Sequence, residues 1–266
     1  MIKKAIDFDA MFDKYLEDYL KEVMGKMKPD MIERQIPAKY IEWLTTPMEE
    51  MDGLTPNAFV EQLVESGKLG EYLLGYVQNG KDISGLIGEN CTENEADVLI
   101  KIMQEYPDYA CPACAILKDT GTKKADKYLV SVISSPDSDP ALIDIAVEML
   151  SDGTHENVVS DMLAIIDEVD EVTQRNFVDV LYVYTGNERI YNWIVKLFER
   201  EDEMRAIYCN YLGRYGNTDA IDLLLDYADT HIMDYYLFME LRNAVEMLGG
   251  EMDKDKKYEV VKRGQI

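Results

Sequence analysis

Two cysteines three residues apart, Cys111 and Cys114, are the sharpest chemical signal in this 266-residue chain. A C-x-x-C pair can act as a redox dithiol or supply half of a tetrahedral zinc site. Asp108 or Tyr109 can cap a helix here, which leaves Pro112 in its first turn, where the helix dipole favours a thiolate. The redox motif of the thioredoxin type sits beside strands, and no period-2 strand pattern flanks this one. A zinc site would need Cys91 and Cys209 as well, about 20 and 95 residues away and without a second C-x-x-C. Cys114 and Cys209 each precede a glycine by seven residues, as Ala146 precedes Gly153. That position suits a small buried side chain, and free cysteine packs as one. Core packing is thus the first reading of the pair, with redox or metal chemistry the alternative.

Other candidates are weaker. Gly75-Tyr76-Val77-Gln78-Asn79-Gly80-Lys81 has the spacing of a phosphate-binding loop, but Asp82 stands where a hydroxyl should meet magnesium. Asn79-Gly80 more simply ends a helix that runs on from Leu69. Asp7, Asp9 and Asp13 begin like a calcium loop, but Phe12 occupies the position that needs glycine. His155 and His231 have acidic neighbours and no metal-ligand spacing, so exposed or capping roles near helix starts are expected. The sequence assigns no catalytic, cofactor-binding or metal-binding residue and calls for no cofactor.

The elements that would carry these residues are helices. Gly88, Gly121, Gly153, Gly186, Gly216 and Gly249 recur at intervals of 33, 32, 33, 30 and 33. After Gly121 the apolar residues are Ala125, Tyr128, Leu129, Val132 and Ile133. After Gly186 they are Ile190, Trp193, Ile194, Leu197 and Phe198, and after Gly216 they are Ala220, Leu223, Leu224, Tyr227 and Ala228. All three sets share the same offsets and draw one helix face. The Gly153 unit repeats it one residue later, at Val158, Met162, Ile165 and Ile166. Thr122, Thr154, Asn187 and Asn217 follow the glycines as candidate N-caps. A second helix precedes each glycine: Leu142 to Leu150, Val172 to Tyr184, Met204 to Tyr215 and Leu237 to Leu248. One such pair cannot bury its own stripe, so the pairs must stack.

The stretches Arg205-Ala206 to Leu212-Gly213 and Arg242-Asn243-Ala244 to Leu248-Gly249 resemble HEAT-like repeats, whose helix carries an Arg, an Ala and a closing Leu-Gly. The resemblance spans roughly residues 81–250 and implies an architecture only. The expected fold is all-α: an α-α superhelix of about five helix-pair repeats with an N-terminal helical cap. Its parts are a cap or small helical domain at 1–80, repeats at 81–250 and a polar tail at 251–266. In the first part Phe8 to Val23 reads as a long amphipathic helix, and Thr55-Pro56 starts another that stops at Ser66-Gly67.

Charge bounds the partners. The chain carries 27 Lys and Arg against 52 Asp and Glu, a net charge of −25, of which −20 falls in residues 81–250. Such a surface repels phosphate backbones and anionic membranes, so neither nucleic acid nor membrane is an expected partner. It suits a basic protein or peptide, although solubility alone also explains it. The aromatic run Tyr235-Tyr236-Leu237-Phe238 and fifteen methionines offer adaptable contacts or core filling. Met1-Ile2-Lys3-Lys4 is followed by Asp7, Asp9 and Asp13 rather than an apolar run, so a secretory signal is not expected. Four cysteines fit a reducing cytoplasm. The resulting expectation is a binding or scaffold protein rather than an enzyme. It would hold a basic partner on the concave face of the stack, with chemistry at Cys111 and Cys114 as the alternative.

Overall fold

The computed structural model describes residues 6–201 and 203–252. The expected tail from residue 253 onward and the Met1–Lys4 segment lie outside them. The protein is all-α, and no strand occurs among the described residues. The chain divides into two compact units, Met1–Ala125 and Asp126–Ile266. That division lies within the stretch 81–250, and not at residue 80.

The N-terminal unit holds α1 (Phe8–Val23), α2 (Pro29–Glu33), α3 (Ile36–Leu44), α4 (Pro56–Glu65), α5 (Leu69–Gln78), α6 (Gly85–Gly88), α7 (Ala96–Glu105) and α8 (Ala110–Asp119). Thr55 caps α4 by accepting from the Ala58 N–H at 3.1 Å, with Pro56 at the first helical position. The long first helix forms as its stripe predicts, and Phe8 is buried at its start. Two tyrosines of α5 hold that start in place: Tyr72 Oη accepts from Ile6 N–H at 2.7 Å and Tyr76 Oη from Phe8 N–H at 3.3 Å. Phe12, Tyr40 and Trp43 pack their rings together where α1 crosses α3. Helices α7 and α8 pack on each other as a pair.

The C-terminal unit contains four further pairs. Its first helices are α9 (Asp126–Ser134), α11 (Asn157–Ile165), α13 (Glu188–Arg200) and α15 (Ala220–Thr230). Its second helices are α10 (Pro140–Leu150), α12 (Glu171–Leu181), α14 (Arg205–Tyr215) and α16 (Tyr235–Met247). The second helices meet in chain order. Helix α10 packs on α12, and α14 packs on α16. Between them, Tyr211 of α14 stacks on Tyr182 at 3.9 Å and donates to Asp179 of α12 at 2.9 Å. The stripe of α13 is buried throughout, whereas α15 buries only Ala220 and Leu224 of its set, leaving Leu223, Tyr227 and Ala228 half-exposed.

In two of the helix pairs a tyrosine just after or at the end of the second helix ties it to the preceding glycine loop. Tyr184 Oη accepts from His155 N–H at 3.1 Å and donates to Leu150 O at 2.6 Å. Tyr215 Oη does the same with Asn187 N–H at 2.8 Å and Asn187 O at 2.7 Å. These hydroxyls satisfy the His155 and Asn187 N–H groups, which no helix ladder reaches.

Two details depart from the sequence reading. Gly121, Gly153, Gly186, Gly216 and Gly249 take φ between 64° and 85°, the left-handed region expected after a helix. Gly88 does not: it is the last residue of the short α6, and a Cβ there would stand 3.1 Å from Ile116 Cδ1, a tight contact with that side chain. Of the four small polar residues, Asn187 is the N-cap of α13, accepting from Arg189 N–H at 3.0 Å. Thr154 is not a cap: its N–H and hydroxyl both donate to Asp152.

Candidate functional site

The C-x-x-C pair lies in the first turns of α8, as its spacing predicts, but Cys114 is fully buried. All four cysteines are free thiols. Burial pushes Cys114 up to about 12, with the neighbouring Cys111 adding to the rise. Burial likewise pushes Cys91 and Cys209 up to about 12. Thiolate is the reactive form, so three of the four thiols rest in the unreactive protonated form near neutral pH. Among the described residues no group of three or more His, Cys, Asp and Glu side chains could hold a metal ion. Native alkylation by iodoacetamide near neutral pH is therefore expected to leave Cys91, Cys114 and Cys209 unmodified, while unfolding in urea exposes them all. Rapid native labelling of Cys114, read by peptide mass, would restore the dithiol reading.

The loop at Gly75–Lys81 does not cradle phosphate. Helix α5 runs through it to Gln78, and Lys81 pairs with Asp7 at 3.0 Å. Asp7 caps α1 through Ala10 N–H at 3.0 Å, and Ser84 donates to Asp9 at 2.9 Å. Acids that resemble the start of a calcium loop thus anchor the first helix. The Ala10 N–H, then the Lys81 ammonium, hold the Asp7 carboxyl below its ordinary range.

His155 departs from the expected exposed or capping role, whereas His231 keeps it, exposed at a helix cap. His155 is buried, with Nδ1 2.7 Å from Asp126 Oδ1 at the start of α9. Asp126 Oδ2 is buried without a partner, and the nearest other acid, Asp152, holds an oxygen 3.9 Å from His155 Nε2. The hydroxyl beside this pair is that of Tyr184, already used by the backbone on both sides. The His155–Asp126 bond ties the Gly153 loop to α9. The sequence signal was faint: the two residues are 29 apart, near one repeat period, and only stacking brings them together.

His231 closes α15 instead of starting a helix. Its ring stacks on Tyr227 at 4.0 Å and 6°, and Nδ1 lies 2.8 Å from Thr230 Oγ1. Tyr227 is held from below by Arg205, which donates to its hydroxyl at 2.8 Å. These residues line a cleft of about 320 Å³ with Phe198, Leu223 and Asp226.

This end of α15 opens onto an acidic, aromatic surface. Asp222, Asp226 and Asp229 are exposed and spaced to form one stripe of the helix. The turn that follows exposes Ile232 (80% accessible), and α16 begins with exposed Tyr235 and Tyr236 after the capping Asp234. No Lys or Arg occurs between Tyr215 and Leu241, while six acids do. Phe238, the last of the aromatic run, turns inward and is buried. The sequence pointed to the aromatic run but not to its division into two exposed rings and one core ring. Only the burial of α16 settles that. No family model matches the chain, and no curated protein matches it.

Proposed function

We propose that the protein is a recognition module that binds a basic peptide or protein segment on the α15–α16 surface. The observation that supports this reading is the exposed carboxylate stripe of α15 beside the exposed side chains of Ile232, Tyr235 and Tyr236, in a segment free of Lys and Arg. Aromatic and aliphatic anchors supply binding energy, and surrounding carboxylates select and steer a cationic partner. In the fuller form of the proposal the helix pairs build a HEAT-like α-α superhelix that serves as a scaffold, with the partner along its concave face. A reducing, cytoplasmic setting suits the four free thiols. Among the described residues no helix is long and apolar enough to cross a membrane.

A fluorescently labelled peptide alternating Lys or Arg with Leu and Phe provides the test. Anisotropy is expected to show binding at low salt that weakens about tenfold or more at about 0.3 M salt, because exposed charges are screened beyond a few ångströms there. Reversing the stripe with Asp222→Lys, Asp226→Lys and Asp229→Lys is expected to abolish it. An acidic peptide of the same apolar content binding equally well would show that charge does not select the partner and would sink the proposal.

A further inference from the structure

The basic segment need not come from another protein. We infer that the acidic α15–α16 surface of one copy takes residues 24–34 of a second copy, the α1–α2 turn together with α2, an inference that rests on the recognition reading above. Residues 24–34, Met24-Gly-Lys-Met-Lys-Pro-Asp-Met-Ile-Glu-Arg34, carry three cations against two acids in a chain of net charge −25. Lys26, Lys28 and Arg34 are all exposed, and none has an ion-pair partner among the described residues. Neighbouring Lys21, by contrast, is engaged by Asp18 at 2.9 Å. Within the same segment Met24 is 78% accessible, and Met31, in α2, is exposed too. Exposed methionines beside cations form an adaptable apolar knob with a positive rim. The α15–α16 surface is its complement, with exposed Ile232, Tyr235 and Tyr236 rimmed by carboxylates.

The choice of this segment over the basic stretch at residues 118–127 is specific. Residues 118–127 hold Lys118, Lys123, Lys124 and Lys127, but no large apolar side chain is exposed among them. Lys124 is in addition drawn to Asp97 at 3.7 Å and to Glu93 O. Residues 24–34 pair several exposed cations with two exposed methionines.

Knob and face are different surfaces, so the contact is heterologous, and such contacts grow into chains or rings instead of stopping at a two-fold dimer. The full chain, followed by sedimentation velocity from about 1 to about 100 µM at low salt, is expected to rise in average mass past the dimer, and to return toward monomer at about 0.3 M salt. Reversing the knob (Lys26→Glu, Lys28→Glu, Arg34→Glu) is expected to weaken association about tenfold or more, and so is reversing the α15 stripe. Mixing the two charge-reversed variants should restore it. Circular dichroism of each variant confirms that these exposed positions leave the fold intact. A wild-type chain that stays monomeric at low salt overturns the inference, as does association that ignores the knob reversal. If association survives that reversal but falls when Lys254, Lys256 and Lys257 are neutralised, the face takes the chain's own C-terminal segment and the inference fails. The labelled peptide separates the two claims: a monomeric chain that still binds it keeps the recognition reading and loses this one.

Discussion

Replacing His155 with alanine is expected to destabilise the C-terminal unit by about 3 kcal/mol or more. The imidazole is 1% accessible and supplies the hydrogen-bond partner of Asp126, itself 4% accessible. Asp126 Oδ2 already lacks a donor. Without the imidazole both carboxylate oxygens are buried unpaired, and breaking a buried pair from one side costs more than the pair contributed. The comparison that isolates this cause is His155→Ala in an Asp126→Ala background. There the second substitution should cost about 2 kcal/mol less than it does alone. The two tryptophans make the measurement practical, because Trp43 reports the N-terminal unit and Trp193 the C-terminal one. Urea unfolding followed at Trp193 in a Trp43→Phe chain reads the unit that matters. A shift of less than about 0.5 kcal/mol for the single variant would show that the pair is not holding the Gly153 loop.

Arg205→Ala is expected to cost about 3 kcal/mol in the same assay. Arg205 opens α14 yet serves the helix before it. Nε donates to Phe198 O at 2.8 Å and Nη2 to Glu199 O at 3.2 Å, both in the last turn of α13, whose carbonyls have no partner within their own helix. Nη1 holds the Tyr227 hydroxyl, and the guanidinium carbon lies 4.8 Å from the Tyr227 ring centre and 5.8 Å from that of Phe198. A residue only 6% accessible therefore caps one helix, starts another and supports a third. Arg205→Lys keeps the charge but not the planar fork, so it should recover less than half of the loss. Full recovery by lysine would reduce the role of Arg205 to charge. The same variants carry a functional readout. Tyr227 supports the His231 ring beside the acidic surface, so Arg205→Ala should weaken labelled-peptide binding even at temperatures where the unit remains folded.

The close approach of helices shows where sequence reasoning loses its hold. A Cβ on Gly213 would stand 3.0 Å from Ala244 Cα and 3.3 Å from Met247 Sδ, so α14 and α16 meet backbone to backbone there. The Leu-Gly at the end of α14 was visible in the sequence, but its partner was not. Lys81 is a parallel case. Local spacing placed it in a phosphate loop, and an acid 74 residues away turned it into the lock of the first helix.

What the sequence determined by itself was local and periodic. Apolar spacing drew the stripes of α9, α11, α13 and α15, and all-α secondary structure followed from it. Thr55, Asn187 and the left-handed glycines from Gly121 to Gly249 marked helix ends, because capping depends on a few adjacent residues. The excess of carboxylates fixed the kind of partner to test. What only the tertiary structure decided was the pairing of distant side chains: His155 with Asp126, Arg205 with Tyr227, Tyr184 and Tyr215 with the preceding loops, and Tyr235 and Tyr236 outside while Phe238 is inside. A repeat period of 30 to 33 residues leaves a slack of several positions, nearly one helical turn. Within that slack a side chain can face core, loop or solvent, and the choice is made by the stacking of whole helices, whose buried area far outweighs any one hydrogen bond.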